Sequence, residues 1–288
     1  MNKRKIDNDM MDEDNSDRGS DAMEDLSNAS DVRVEFEFFD PKQQDFHNIK
    51  NFMNHLFGPD KVNTSELADL ILSQPLIGST IKTDDDDDAL AIFTVLNINV
   101  HDNKPCIRQI KDYILSNASK NPEFQKVAST LFRPDSPQHI GLLLNERLIN
   151  MPVQLIPPMY KMLSEELQWA IDDKEPYDFE YFLLLSKTYR EVAPQETAEG
   201  GQSEIPQKKS RAIPIQESQY VNMEDSIVAN FCESQITLDF RPPSVADSKR
   251  AFSDFGIIPG RKASLIHKSQ FKNVIDALNK AIPPPERD

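Results

Sequence analysis

Five consecutive aspartates are the most conspicuous side chains with the potential for chemistry in this sequence: Asp84, Asp85, Asp86, Asp87 and Asp88. Clustered carboxylates are typical of calcium loops, but an EF-hand loop that began at Asp84 would need glycine and glutamate where Ala89 and Val95 stand. We therefore expect no dedicated metal site. Two interpretations stay open: a solvated acidic loop, or a patch that neutralises the Lys and Arg side chains of a partner. Because exposed ion pairs are individually weak, several would have to act together, and the binding should weaken as salt rises.

The other reactive groups do not form a catalytic signature. The pair His101 and Asp102 resembles a base with its orienting carboxylate, but no activated Ser or Cys motif such as GxSxG accompanies it. Neither GxGxxG nor a P-loop pattern is present to cradle phosphates. Neither HExxH nor a Cys/His ligand spacing appears among the five histidines, which are His47, His55, His101, His139 and His267. We predict a protein that is not an enzyme and takes no metal and no cofactor.

Two short basic clusters are candidate nuclear-import signals. The first is Lys3, Arg4 and Lys5, and the second is Lys208, Lys209 and Arg211. Such residues also occur as ordinary solvated charges, so both interpretations stay open.

The charge balance points to a class of partner. With 48 acidic and 32 basic side chains, the chain has a formal net charge of -16. A surface of this sign repels nucleic acid and anionic membranes and attracts cationic protein segments. Cys106 and Cys232 cannot make a disulfide framework, and there is neither a signal peptide nor an apolar run of membrane-spanning length. We expect a protein of a reducing compartment, neither secreted nor membrane-spanning.

The hydrophobic periodicity predicts an α/β (α+β) fold with a mixed central sheet flanked by helices. Residues 1–31 are predicted to be a disordered acidic tail, and residues 32–288 one α/β domain with a mobile insert at about 192–218. The segment after the insert is expected to complete the sheet, because it is too short for a core of its own.

The same patterns also give local predictions. Trp169 is expected in the core, and Gly256 to Gly260 is interpreted as a turn. Strands are predicted at 32–39, 77–81, 90–100, from 140, from 179, 234–240 and 262–267, and helices at about 46–57, 64–74, 105–114, 123–132, 159–170 and 271–282. Asn63 and Thr64 are good N-caps for the second helix, and Pro105 can open the third. The strand at 90–100 is expected in the centre of the sheet, because it has apolar side chains on both faces.

Five ordered segments of this sequence resemble the BCCIP family of nuclear proteins. They are LIGSTIK from Leu76, FTVLNI from Phe93, GLLLNERLINMP from Gly141, PPMYKMLSEEL from Pro157 and YFLLLSKTY from Tyr181. They cover most of residues 32–190, whereas the C-terminal third resembles the family only loosely. The resemblance implies a fold similar to that of GCN-five-related acetyltransferases (GNAT-like) without a working acetyl-CoA site.

The resemblance also implies a function. Fungal members of the family look like nuclear chaperones that escort a basic large-subunit ribosomal protein of the universal L-fourteen type and support 60S ribosome biogenesis. They are also tied to the nuclear export of a phosphatidylinositol phosphate kinase. We therefore expect a monomer that shuttles between nucleus and cytoplasm, with that ribosomal protein as its partner and residues 84–88 as the partner-binding site. A lipid kinase and nuclear transport factors are expected as further partners. The alternative, implied by animal members, is a scaffold in DNA repair and cell-cycle control.

Overall fold

The computed structural model describes residues 34–58, 60–74, 77–85, 87–191, 218–240 and 256–284. Two compact units are distinguished, Met1–Glu35 and Phe36–Asp288, and the described helices and strands belong to the second. The predicted tail and all but one residue of the predicted insert lie outside the described residues. The same holds for Val32 and Arg33, with which the first predicted strand began.

Local sequence signals account for the ends of several helices. The Asn63 side chain accepts a hydrogen bond from the backbone N–H of Glu66, as an N-cap residue does. Two other helices begin at Pro105 and Pro122, where a missing N–H costs nothing. The described α-helices are α1 (Phe46–Phe57), α2 (Thr64–Leu72), α3 (Pro105–Ala118), α4 (Pro122–Leu131), α5 (Ile156–Asp172), α6 (Met223–Val228) and α7 (Phe271–Ala281), with 3-10 turns at Gln43–Asp45, Val153–Leu155, Ala229–Phe231 and Lys268–Gln270.

The strands form one mixed sheet, as predicted. Its order is β1-β2-β3-β4-β5-β8-β7, with β6 paired to β5, and β4 and β5 are the parallel pair among otherwise antiparallel neighbours. The C-terminal strands β7 and β8 complete this sheet, which confirms the expected role of the closing segment. The strands are β1 (Glu37–Phe39), β2 (Ser79–Lys82), β3 (Ala91–Asn97), β4 (His139–Arg147), β5 (Phe179–Glu191), β6 (Gln219–Tyr220), β7 (Ser234–Leu238) and β8 (Ile257–His267).

Helices cover both faces of the sheet. Alternate side chains of β3 show the division: Ile92 and Leu96 face one apolar cluster, whereas Phe93 and Val95 face the other. Helices α1 to α4 pack into the first cluster. Helices α5, α6 and α7 pack into the second. Strand β3 is buried on both faces, which confirms its predicted central position. Of the helices in the described part of the chain, none has the length and apolar character to cross a membrane.

Two local predictions are wrong. Trp169 does not lie in the core but is 64% exposed on the solvent side of α5. Residues 257–260 are not a turn, because they form the beginning of β8 and pair with β5; only Gly256, at φ 67°, has turn geometry. The first strand is also shorter than predicted and begins at Glu37.

The parallel pairing of β4 and β5 ends before the strands do. It runs as far as Leu143 opposite Leu184. Further along, the same edge of β5 is taken by β6, with Tyr220 opposite Thr188. Strand β6 and helix α6, neither of which the sequence had suggested, therefore lie at the end of the sheet where β4 finishes.

Candidate functional site

The predicted acidic site is an exposed loop between β2 and β3. We call residues 84–88 the acidic loop. The side chains of Asp84, Asp87 and Asp88 are exposed, and Asp86 lies outside the described residues. The backbone N–H of Asp87 donates to the carbonyl oxygen of Asp84 (3.1 Å), so the loop has a defined turn.

Two lysines of the chain itself hold the acidic loop in place. The Lys82 side chain is fully buried, and its Nζ lies 2.7 Å from a carboxylate oxygen of Asp45 and donates to the Asp85 carbonyl oxygen (2.9 Å). At the surface, Lys42 Nζ lies 2.6 Å from the Asp85 carboxylate, and its hydrogen bond lowers the pKa of that carboxyl. One of the five predicted partner-binding aspartates is thus paired within the chain. The exposed charges of Asp84, Asp87 and Asp88 remain at the surface.

A second loop at the same end of the sheet presents apolar side chains. Ile149 is 81% exposed, and Leu148 beside it is also exposed. The Leu148 backbone N–H donates to the carbonyl oxygen of Leu90, which lies just after the acidic loop (3.0 Å). The two loops are therefore neighbours, although sequence reasoning selected only the acidic one.

Helix α6 is attached to this end of the sheet by a buried ion pair. Arg147 Nε and Nη2 donate to the two carboxylate oxygens of Glu224 at 2.8 and 3.1 Å. Next to it, Asp225 is buried, and its Oδ1 atom has no hydrogen-bond partner in the described part of the chain. Burial raises the pKa of Asp225 well above its usual value, and the charges of Glu224 and Glu146 raise it further.

Charged groups on the opposite face of the sheet are used for structure. Lys187 Nζ lies 2.5 Å from a carboxylate oxygen of the buried Glu146. Arg261 donates to the carbonyl oxygens of His55 and Leu56 in the last turn of α1, where positive charge is favourable. The Arg261 guanidinium also stacks on the Phe240 ring at 3.7 Å from its centroid, and burial lowers its pKa to about 10.

The candidate catalytic pair is not assembled. Asp102 is bonded to Lys111 Nζ at 2.5 Å, and the structure gives no contact between its carboxylate and the His101 ring. Burial, followed by the nearby Glu66, raises the pKa of the Cys106 thiol to about 12, so this cysteine is not an activated nucleophile. Within the described ranges, no three His, Cys, Asp or Glu side chains are grouped so that they could hold a metal ion.

The six candidate import residues lie outside the described residues: Lys3, Arg4, Lys5, Lys208, Lys209 and Arg211. Their assignment stays a prediction from the sequence.

The fold and the site together define a class: a mixed-sheet α/β protein with an exposed acidic loop beside an exposed apolar loop. A family model described as BCCIP matches residues 31–228, which is more than half of the chain. The chain therefore belongs to the BCCIP family.

Fungal relatives agree with this assignment along most of the chain. Protein bcp1 of Schizosaccharomyces pombe is 42% identical over 259 residues, covering 86% of this chain and 89% of the relative. Protein bcp1 of Emericella nidulans is 39% identical over 261 residues, covering 88% of this chain and 89% of the relative. The names of the family and of these relatives are not names of enzymes.

A solved structure supports the fold. The crystal structure of BCP1 from Saccharomyces cerevisiae superimposes with a TM-score of 0.60 at 20% sequence identity, covering 92% of this chain and 93% of that chain. At this identity the likeness shows the fold alone. The GNAT-like character implied by the family resemblance stays a prediction.

Proposed function

We propose that this protein is a non-enzymatic nuclear chaperone that binds a basic large-subunit ribosomal protein of the universal L-fourteen type, keeps it soluble and delivers it for 60S ribosome assembly. The observation that supports this most is the net charge of -16 together with three exposed aspartates on a loop that Lys82 fixes from inside the fold. A cationic client would be attracted by the overall field and held where the exposed carboxylates are concentrated.

The proposed mechanism has an electrostatic part and a steric part. Carboxylates of the chaperone neutralise Lys and Arg side chains that the client later uses to bind RNA. The folded surface around the acidic loop covers the client's RNA-binding face and keeps it from wrong RNA. Since the acidic loop is already ordered by Lys42 and Lys82, the client does not have to supply the free energy that orders it.

The cellular part of the proposal follows the family resemblance. The protein would shuttle between nucleus and cytoplasm as a monomer, and would also assist the nuclear export of a phosphatidylinositol phosphate kinase. A scaffold in DNA repair and cell-cycle control is the competing function, with different consequences for ribosomes.

Co-expression with the basic ribosomal protein tests the proposal directly. The client should stay soluble and co-purify at a one-to-one ratio, and depletion of the chaperone should lower the level of free 60S subunits. A scaffold would instead leave ribosomes intact and sensitise depleted cells to DNA breaks. A transferase would be recognised by a rise in melting temperature with acetyl-CoA, because a ligand that binds the native state stabilises it.

A further inference from the structure

Four exposed apolar side chains lie on two segments that are joined at the end of the sheet at which β4 finishes. Leu148 and Ile149 come from the loop after β4. Val221 lies between β6 and α6, and Met223 is the first residue of α6. The Arg147–Glu224 ion pair joins the two segments, because Arg147 precedes Leu148 and Glu224 follows Met223. We call Leu148, Ile149, Val221 and Met223 the apolar patch.

The loop half of the apolar patch is rigid although its side chains face solvent. The Leu148 backbone donates to Leu90 and accepts from Arg147 Nη1 and from the N–H of Met151. Met151 itself is buried in the core below the loop. Ile149 is therefore held outward on a loop that is fixed at both ends, so its exposure is a property of the fold.

The helix half is held in the same way. The Val221 N–H donates to the carbonyl oxygen of Lys187 in β5 (2.9 Å). The neighbouring Asn222 and Glu224 are buried, whereas Met223 between them is 48% exposed. Buried polar side chains thus alternate with exposed apolar side chains. Large apolar side chains that are already held in place contribute strongly to binding, because little conformational entropy is lost when a partner contacts them.

The charge beside the patch selects its occupant. The acidic loop leads into Leu90, to which Leu148 is bonded, so the acidic loop and the loop half of the patch are neighbours. Two copies of this chain that met here would bring their aspartates together and repel each other. A cationic protein segment would gain both charge pairing and apolar burial.

We infer that the apolar patch is the anchor of the client-binding surface and receives apolar side chains of the client that are flanked by Lys and Arg. The inference rests on the proposed chaperone function and extends it, since it assigns affinity to apolar contacts and early encounter to the acidic loop. Contacts of this kind persist when salt screens the charges.

The test replaces apolar side chains without changing charge. In the double variant Ile149→Ser and Met223→Ser, the dissociation constant for the universal L-fourteen type ribosomal protein, measured by calorimetry, should rise about tenfold or more, as expected for the loss of interface anchors. The factor should be similar at about 0.15 M and about 0.5 M salt, because salt screens charge pairing but not apolar contacts.

Trp169→Ser is the matched control, because it also removes an exposed large apolar side chain. Trp169 lies on α5, and that helix contacts the opposite end of β2 through the hydrogen bond from the Gly78 N–H to Glu166. Circular dichroism and the urea midpoint should confirm that all variants fold.

The outcomes distinguish a failure of the proposed binding surface from a failure of the proposed chaperone function. If the double variant binds like the wild type, or if Trp169→Ser weakens binding equally, the patch is not the anchor although the chaperone function stands. If the double variant changes a dimer into a monomer in sedimentation, a second copy covers the patch and the inference is wrong. If the wild type does not bind the basic protein at all, the chaperone function fails, and the inference fails with it.

Discussion

The guanidinium of Arg147 is bonded to both carboxylate oxygens of Glu224, and both side chains are almost completely removed from solvent. This pair connects the end of β4 with α6, a helix of six residues that also packs into the second apolar cluster through Val228. Planar, two-point pairing of this kind fixes orientation as well as distance. The pair therefore helps to fix the orientation of α6 at the end of β4.

Removing one partner of this ion pair should be costly. We expect Glu224→Ala to lower the free energy of unfolding by about 3–5 kcal/mol, because the Arg147 charge is left buried and uncompensated. Urea denaturation of the purified variant measures this loss. The same bidentate geometry occurs between Arg133 and Asp135 at the surface, so Asp135→Ala is the matched control and should change stability little. Equal losses in the two variants would contradict a special role for the buried pair.

Lys82 should control the order of the acidic loop. In Lys82→Met, Asp45 loses its buried partner and the Asp85 carbonyl oxygen loses a donor, so we expect a loss of stability of about 3–5 kcal/mol. Hydrogen exchange at the Asp87 amide, which bonds to the Asp84 carbonyl, should become faster. Lys42→Met removes the exposed contact to Asp85, and we expect it to leave the unfolding free energy nearly unchanged. An unaltered exchange rate in Lys82→Met would show that the loop holds its shape without this lysine.

Asp225 should make stability depend on pH. In the unfolded chain this carboxyl titrates near its ordinary pKa of about 3.9, whereas burial and the Glu224 charge raise its folded pKa. Between the two values the native protein retains a proton that the unfolded chain has released, so stability falls as pH rises, by at most about 1.4 kcal/mol per pH unit. Below a pH of about 3.9 both the folded and the unfolded chain carry this proton, so Asp225 no longer makes stability depend on pH.

Asp225→Asn removes this titration while keeping the shape of the side chain. The free energy of unfolding of the variant, measured relative to the wild type by chemical denaturation, should therefore improve as pH is raised above the ordinary carboxyl pKa of about 3.9. Asp172→Asn, at an exposed position on α5, is the control and should run parallel to the wild type. A constant difference between Asp225→Asn and the wild type at every pH would mean that Asp225 titrates normally in the folded protein.

Local signals in the sequence predicted the parts of the fold that depend on neighbouring residues. The Asn63 cap and the helix start at Pro105 need only nearby backbone, and they were predicted correctly. Helix α4 begins at Pro122, one residue before its predicted start. The central position of β3 followed from apolar side chains on both of its faces. The sequence could not suggest the Lys82–Asp45 pair or the anchoring of α6, because these contacts join segments that are distant in the chain.

The two wrong local predictions have physical reasons. Buried positions of α5 recur at Met159, Leu163 and Leu167, and Trp169 lies off that row, on the side of Glu165 and Asp172. A stricter helical projection would have placed it in solvent. Residues 257–260 looked like a turn because of Gly256, Pro259 and Gly260. Yet β7 pairs with β8 only from Arg261 onward, so Pro259 lies where β8 has one described neighbour, and proline is tolerated at such edge positions.

The acidic loop should govern how fast a basic client arrives. In the triple variant Asp84→Asn, Asp87→Asn and Asp88→Asn, the association rate constant with the basic ribosomal protein should fall about tenfold at low salt, and the difference should shrink as salt screens the charges. Asp85 is left unchanged, because Lys42 already neutralises it. Stopped-flow mixing over a series of salt concentrations measures both effects.

The matched control removes the same number of exposed carboxylates near the end of α5, in the triple variant Asp172→Asn, Asp173→Asn and Glu175→Gln. Since both triple variants have the same net charge, equal slowing would mean that the client senses only the total charge of the protein, whereas selective slowing in the first variant would assign the encounter to the acidic loop.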